Sequence, residues 1–101
     1  MTFDKINNLV QSNLSPNNYV GIVITGSLYS SANDIVNICF YLPNSHIVTT
    51  YIANMKKVLY ECTTTRNIVN DIISYLSNSY TVNLCATHSD MKSLVYHIRE
   101  K

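Results

Sequence analysis

The stretch Tyr19-Val20-Gly21-Ile22-Val23-Ile24-Thr25 decides the fold of this 101-residue chain. It is a nearly continuous apolar run rich in β-branched residues, which are enriched in strands. A strand that is apolar on both sides is covered on both faces, so this run predicts a central strand of a sheet. The rest of the chain is expected to pair with this strand or to pack on it.

Two further runs predict strands. Residues 35–42 (Ile-Val-Asn-Ile-Cys-Phe-Tyr-Leu) are apolar and end at the turn signal Pro43-Asn44. Residues 80–86 alternate between apolar and polar types, which is typical of a half-buried strand.

Helices are indicated where apolar residues recur three and four positions apart. The predicted helical segments are residues 2–14, 46–61 and 68–76 and the segment that follows Ser89, with Met91, Leu94, Val95 and Ile98 facing inward. Thr2, Ser89 and the run Thr63-Thr64-Thr65 supply residue types that begin helices. Segment 46–61 is ambiguous, because residues 47–51 alone would predict a strand.

The predicted order is helix, strand, strand, helix, helix, strand, helix. This order favours the α/β (α+β) class: a small mixed sheet of three or more strands with helices packed on it. The chain contains no repeat, linker or low-complexity segment. We therefore predict a single compact domain over residues 1–101.

Charge is scarce in this chain. Charged residues make up 13% of it, about half the usual share of roughly 25%, and the formal net charge is +1. The polar surface must come largely from 13 Asn, 11 Ser and 9 Thr. Weak repulsion between copies favours self-association. Strong binding to nucleic acid is not expected, because it requires many Lys and Arg contacts to phosphate.

Composition and cysteine content bear on source and compartment. Abundant Asn, Ile and Tyr, with few Gly and Pro and no Trp, are typical of an A+T-rich genome, which fits a small viral or parasite gene as well as many bacteria. The odd cysteine count is a poor disulfide framework. Cys39 and Cys85 are predicted to be small buried hydrophobic residues. The chain shows neither a signal-peptide core nor an apolar run long enough to span a membrane, so we expect a cytoplasmic protein, in the host cytoplasm if viral.

Gly26-Ser27 directly follows the first predicted strand, and Asp34 directly precedes the second. This arrangement, with the order of elements around it, resembles minimal nucleotidyltransferase-like domains. The resemblance implies that backbone amides near Gly26 and Ser27 approach a phosphate and that Asp34 helps to hold a metal ion. The family's other two carboxylates are missing, because Val36 and Asn83 stand in their places. The implied activity is therefore nucleotide binding without transfer.

A simpler interpretation of the same residues stays open. Gly26-Ser27 can end a strand, with the serine capping a short helix, and Asp34 can be an ordinary turn residue. Other chemistry has little support. A Cys85–His88–Asp90 set would need to converge in space, and His46, His88 and His97 have no metal-ligand spacing. His97 is expected on the exposed side of the last helix. We predict no catalytic residue, no metal and no cofactor.

The eight tyrosines are the remaining unusual feature. Tyrosine combines apolar area with a polar group, so it suits protein interfaces as well as half-buried sheet positions. We predict a non-enzymatic binding or interaction module that pairs with a protein partner or with itself as a homodimer. The sheet edge or the helix faces around Tyr51 and Tyr75 are the candidate interface, and membranes are not an expected partner. The alternative is the nucleotide-binding domain described above.

Overall fold

The computed structural model describes residues 2–26, 33–43, 57–87 and 93–101, with the backbone alone at residues 86 and 87. These residues form two helices and five strands: α1 (Phe3–Asn13), β1 (Val20–Thr25), β2 (Ile35–Leu42), β3 (Lys57–Thr65), α2 (Arg66–Ser77), β4 (Tyr80–Thr87) and β5 (Ser93–Glu100). The strands build a sheet in the order β3-β2-β1-β5-β4. The α+β class is confirmed, but every strand pair in this described part is antiparallel, so the sheet is not mixed.

Strand β1 is the middle strand of the sheet, as its apolar run predicts. Val20 and Ile22 are fully buried on one face, and Gly21 is buried on the other. Antiparallel pairing joins it to β2 on one side, with Val23 opposite Cys39, and to β5 on the other, with Val23 opposite Val95. The predicted bounds of β2 are confirmed, and β4 begins where predicted.

Both helices pack on the same face of the sheet. The core there contains Ile6 and Val10 of α1, Val69, Ile72 and Leu76 of α2, and inward residues of the strands: Val20, Ile22, Ile24, Val36, Ile38, Phe40, Leu94 and Ile98. The predicted caps are confirmed at both helix starts. The hydroxyl of Thr2 accepts a hydrogen bond from the amide of Lys5 at 3.2 Å, and the hydroxyl of Thr65 accepts one from Ile68 at 3.3 Å.

The predicted final helix is wrong, because residues 93–100 form strand β5 between β1 and β4. A spacing of four residues, as between Leu94 and Ile98, fits the two-residue period of a strand as well as the helical period. Those two side chains are buried against the helices. Val95 pairs with Val23 and so lies on the opposite face of the sheet. In a helix, Val95 would instead have faced inward together with Leu94.

The predicted helix at residues 46–61 is wrong where the structure describes it. Residues 57–61 begin β3, which pairs with β2 along its whole length, and residues 46–56 lie outside the described ranges. The expected break at Thr63-Thr64-Thr65 is also part of β3, and Thr65 alone caps α2. The described order is therefore α-β-β-β-α-β-β, not the predicted α-β-β-α-α-β-α.

Candidate functional site

Strand β4 lies at one edge of the sheet that the described residues form. An edge strand presents unpaired backbone N–H and C=O groups, and natural proteins usually protect such edges with charged residues or proline. The eight residues of β4, Tyr-Thr-Val-Asn-Leu-Cys-Ala-Thr, include no charge, proline or glycine. Its sequence therefore lacks charge and proline, two of the common protections against pairing with another strand.

The side chains of β4 add apolar surface to this edge. Leu84 is 54% exposed, and Cys85 beside it is also exposed. The pairing of β4 with β5 shifts register between Leu84 and Ala86, so Cys85 is the extra residue of a β-bulge. Pairing is regular from Tyr80 to Leu84, which leaves five residues of undistorted strand at the edge.

The opposite edge, strand β3, has a different character. It carries Lys57 and Glu61, and the carboxylate of Glu61 accepts a hydrogen bond from Nδ2 of Asn37 at 2.7 Å. Val58 and Tyr60 are exposed between these charges. The two edges are therefore chemically distinct, and β4 is the uncharged one.

A ring cluster lies beside β4 on the face opposite the helices. The rings of Tyr19 and His97 stack with centroids 3.9 Å apart, and the Arg99 guanidinium lies 4.9 Å from the centre of the Tyr19 ring. His97 pairs across the sheet with Asn83 of β4. Burial lowers the pKa of His97, and the nearby Arg99 charge lowers this pKa further. Burial raises the pKa of Tyr19, an effect that Arg99 partly opposes.

Tyr41 extends this cluster onto β2. It pairs with Gly21, and a Cβ atom at Gly21 would overlap the Tyr41 ring. Burial raises the pKa of Tyr41 to about 12, with smaller contributions from Tyr19, Cys85 and Cys39. The cluster is thus a packed support for the sheet next to β4.

The residues predicted to bind nucleotide are only partly brought together. Gly26 follows β1 and Asp34 precedes β2, so antiparallel pairing places both at the same end of adjacent strands. Ser27 lies outside the described residues. A Cβ atom at Gly26 would come within 2.8 Å of Cγ1 of Val36, so close packing accounts for this glycine. The carbonyl of Asp34 accepts a hydrogen bond from the amide of Arg66 at 3.0 Å.

Asn83, which stands in the place of the family's third carboxylate, lies far from Asp34. Strands β1 and β5 separate β4 from β2, a lateral distance of about 14 Å at roughly 4.8 Å per strand. Val36 points into the core and is buried. The structure therefore groups Gly26 with Asp34 and leaves Asn83 apart.

Of the two predicted interface tyrosines, Tyr51 lies outside the described residues. Tyr75 of α2 is half-buried, and its ring stacks on Phe3 of α1 with centroids 4.7 Å apart. The Tyr80 hydroxyl donates a hydrogen bond to Oδ1 of Asn7 at 2.9 Å, which links α1 to the start of β4. The role of Tyr75 at an interface stays a prediction.

The cysteines and histidines differ in part from expectation. Cys39 is buried as predicted, but Cys85 is exposed, because it occupies the bulge at the sheet edge. His97 lies half-buried on a strand, not on the exposed side of a helix. His46, His88 and Asp90 lie outside the described residues. Within the described ranges, no three His, Cys, Asp or Glu side chains are grouped so that they could hold a metal ion.

Comparisons of the chain with protein-family models, curated proteins and solved structures found no match. Neither α1 nor α2 has the length and apolar character needed to cross a membrane.

Sequence reasoning named the sheet edge as an interface but did not identify the strand. The signal was present, because residues 80–87 form an eight-residue strand segment without charge. Its meaning depends on the sheet order, since the same composition in a central strand would indicate only burial. Because residues 93–100 were predicted as a helix, the sheet order could not be inferred from the sequence.

Proposed function

We propose that this chain is a non-enzymatic interaction module that forms a homodimer through strand β4. One observation carries the proposal: β4 is an uncharged edge strand with an exposed apolar side chain, Leu84. Two copies of β4 would pair antiparallel about a twofold axis and join the two sheets into one. Such an interface is isologous, so the same patch serves both copies.

The charge pattern favours a second copy as the occupant of this edge. In an antiparallel pair around a twofold axis, each residue of β4 faces another residue of β4. Since β4 carries no charge, no register places like charges opposite each other. The net charge of +1 adds little repulsion between whole molecules.

The expected affinity is modest. A stable interface usually buries about 800 Å² on each partner, and one strand edge supplies only part of this area. Leu84 lies on the helix side of the sheet, where it pairs with Tyr96, and Asn83 lies on the opposite side. Burying the exposed half of Leu84 adds about 1 kcal/mol to the backbone hydrogen bonds. We expect a dissociation constant on the order of 10 µM.

Sedimentation velocity tests the dimer. Between about 1 and 500 µM, a range that spans weak dimer affinities, the weight-average sedimentation coefficient should rise from the monomer value to the dimer value. Leu84→Lys should keep the protein monomeric over this range, because two copies would then bring like charges together at the edge. Ser74→Lys is the matched control: it adds the same charge at an exposed position of α2, and it should dimerise like the wild type.

Two results would contradict the dimer proposal. One is a wild-type protein that remains monomeric at the highest concentration. The other is a Leu84→Lys protein that dimerises as strongly as Ser74→Lys, which would place the interface elsewhere.

A second candidate function is nucleotide binding at Gly26, Ser27 and Asp34. It is supported by the position of Gly26 and Asp34 at the same end of adjacent strands. Isothermal calorimetry with ATP or GTP and magnesium tests it. Binding heat that is lost in Ser27→Ala and Asp34→Asn would support this function, and absence of heat from the wild type would reject it.

We also propose a cytoplasmic location, in the host cytoplasm if the gene is viral. The odd count of three cysteines, with no closely spaced pair in the sequence, supports a reducing compartment, because small secreted domains usually carry an even, disulfide-forming set. Thiol labelling of the protein in lysates of its own cells tests this. Three reactive thiols after unfolding are expected, and an interchain or mixed disulfide would contradict the proposal.

A further inference from the structure

A groove lies between helix α1 and the edge strand β3. Its volume is about 250 Å³, and it is lined by Lys5, Ile6 and Leu9 of α1 and by Tyr60 of β3. Ile6 and the half-buried Leu9 belong to the core or pack against it, so the groove has an apolar floor. Tyr60 is 38% exposed and forms one wall. This volume suits one side chain of a partner better than a whole drug-sized ligand.

The groove is bordered by positive charge. Lys5 lines it directly. Lys57 pairs with Leu42 and Tyr60 pairs with Phe40, so both lie on the helix side of β3, as the groove does. Glu61 pairs with Cys39 and lies on the opposite side, where it is held by Asn37. Asp4 is exposed in the first turn of α1 and is the nearest acidic residue in sequence to Lys5.

Backbone groups complete the site. In the sheet formed by the described residues, β3 is an edge strand, whose N–H and C=O groups an extended peptide can pair with. In recognition by strand addition, backbone hydrogen bonds supply affinity, and pockets for alternate side chains supply specificity. The groove is such a pocket, placed directly beside the edge.

We propose that β3 and the groove bind an extended peptide segment of a partner protein, which adds to the sheet as a further strand. An apolar side chain of the peptide fills the groove over Ile6 and Leu9. An acidic side chain two positions away approaches Lys5 and Lys57, since side chains on one face of a strand recur every second residue. This site is separate from the β4 edge and does not depend on the dimer.

Self-pairing of β3 with a second copy is disfavoured in the register that would bring its opposite charges together. Antiparallel self-pairing centred on Leu59 would place Lys57 opposite Glu61, but opposite residues in a pair must share a face of the sheet. The register shift between Phe40 and Tyr41 places these two charges on different faces. An acidic partner peptide meets both lysines without this conflict.

Nuclear magnetic resonance titration with designed peptides tests the site. The probe is a seven-residue peptide of threonines and valines with a central leucine and an aspartate two positions before it. Its addition should shift amide signals of β3 and of residues 5–9. Replacing the aspartate by lysine should weaken binding at least tenfold, and replacing the leucine by serine should weaken it by a similar factor.

Charge reversal on the protein provides the sharper comparison. Lys5→Glu should weaken binding of the aspartate peptide at least tenfold and strengthen binding of the lysine peptide. Lys101→Glu is the matched control, because this exposed residue at the end of the chain reverses the same charge away from the groove. Absence of binding at millimolar peptide, shifts centred on β4, or equal effects of the two reversals would overturn the proposal.

Discussion

Gly21 and Tyr41 show how a single residue pair shapes the face of the sheet opposite the helices. Glycine is required at position 21 because the Tyr41 ring occupies the space that a Cβ atom would need. The ring is buried, and its pKa rises to about 12 as a result. The contact therefore joins the central strand to β2 through a side chain as well as through the backbone.

We expect Gly21→Ala to destabilise the protein. The added methyl would overlap the Tyr41 ring, and overpacking of this kind costs about 1–3 kcal/mol. This cost exceeds the gain of about 0.4–1 kcal/mol from a less flexible unfolded chain. Urea denaturation measures the difference. In a Tyr41→Leu background the same substitution should cost less, and an equal cost in both backgrounds would show that the ring is not the cause.

A second residue-scale prediction concerns His97. Its pKa lies below the ordinary value of about 6.5, so the unfolded chain binds the proton more readily than the folded protein does. The free energy of unfolding therefore has its full value above about pH 6.5. It falls as the pH drops from this value towards the pKa of His97 in the folded protein.

Replacing His97 by phenylalanine isolates this effect, because the variant keeps a ring against Tyr19 but does not titrate. Between about pH 7.5 and 5.5, around the ordinary histidine pKa, we expect the wild type to lose more stability than His97→Phe does. Chemical denaturation across this range measures both slopes. Parallel slopes would contradict a lowered pKa at His97.

At the scale of elements, local signals predicted α1, α2, β1, β2 and β4 because each has an unmistakable period or a clear boundary residue. Strand β5 and the start of β3 fall in segments that were predicted as helices, and in β5 the buried pair Leu94 and Ile98 fits either period. The strand form of β5 depends on pairing with β1, which is distant in sequence, as well as with β4. The site at β4 could not be located for the same reason, since an edge is defined only by the complete sheet order.

The start of α2 offers a direct test of an element boundary. Thr65 ends β3 and caps α2, and its hydroxyl accepts a hydrogen bond from the amide of Ile68. Thr65→Ala should lower the free energy of unfolding by about 1 kcal/mol, as loss of a cap does. Thr65→Ser keeps the acceptor and should stay close to the wild type. Equal losses in thermal or urea unfolding would instead assign the effect to strand pairing.

At the scale of the whole molecule, the sheet has one helix-covered face and two edges of different chemistry in its described part. The β4 edge is uncharged, which suits a second copy, whereas the β3 edge carries Lys57 and borders a groove lined by Lys5, which suits an acidic peptide. Because β2, β1 and β5 separate the two edges, one molecule can use both at once. A β4-paired dimer would then present two peptide sites at its outer ends.

The pairing of β4 with its copy is the claim on which this arrangement depends. Isotope-filtered nuclear Overhauser spectroscopy on a mixture of labelled and unlabelled protein, at a concentration where the dimer predominates, observes it directly. We predict intermolecular contacts between the two β4 strands, strongest around Asn83 and Leu84. Intermolecular contacts confined to other surfaces, with β4 signals unchanged between dilute and concentrated samples, would contradict it.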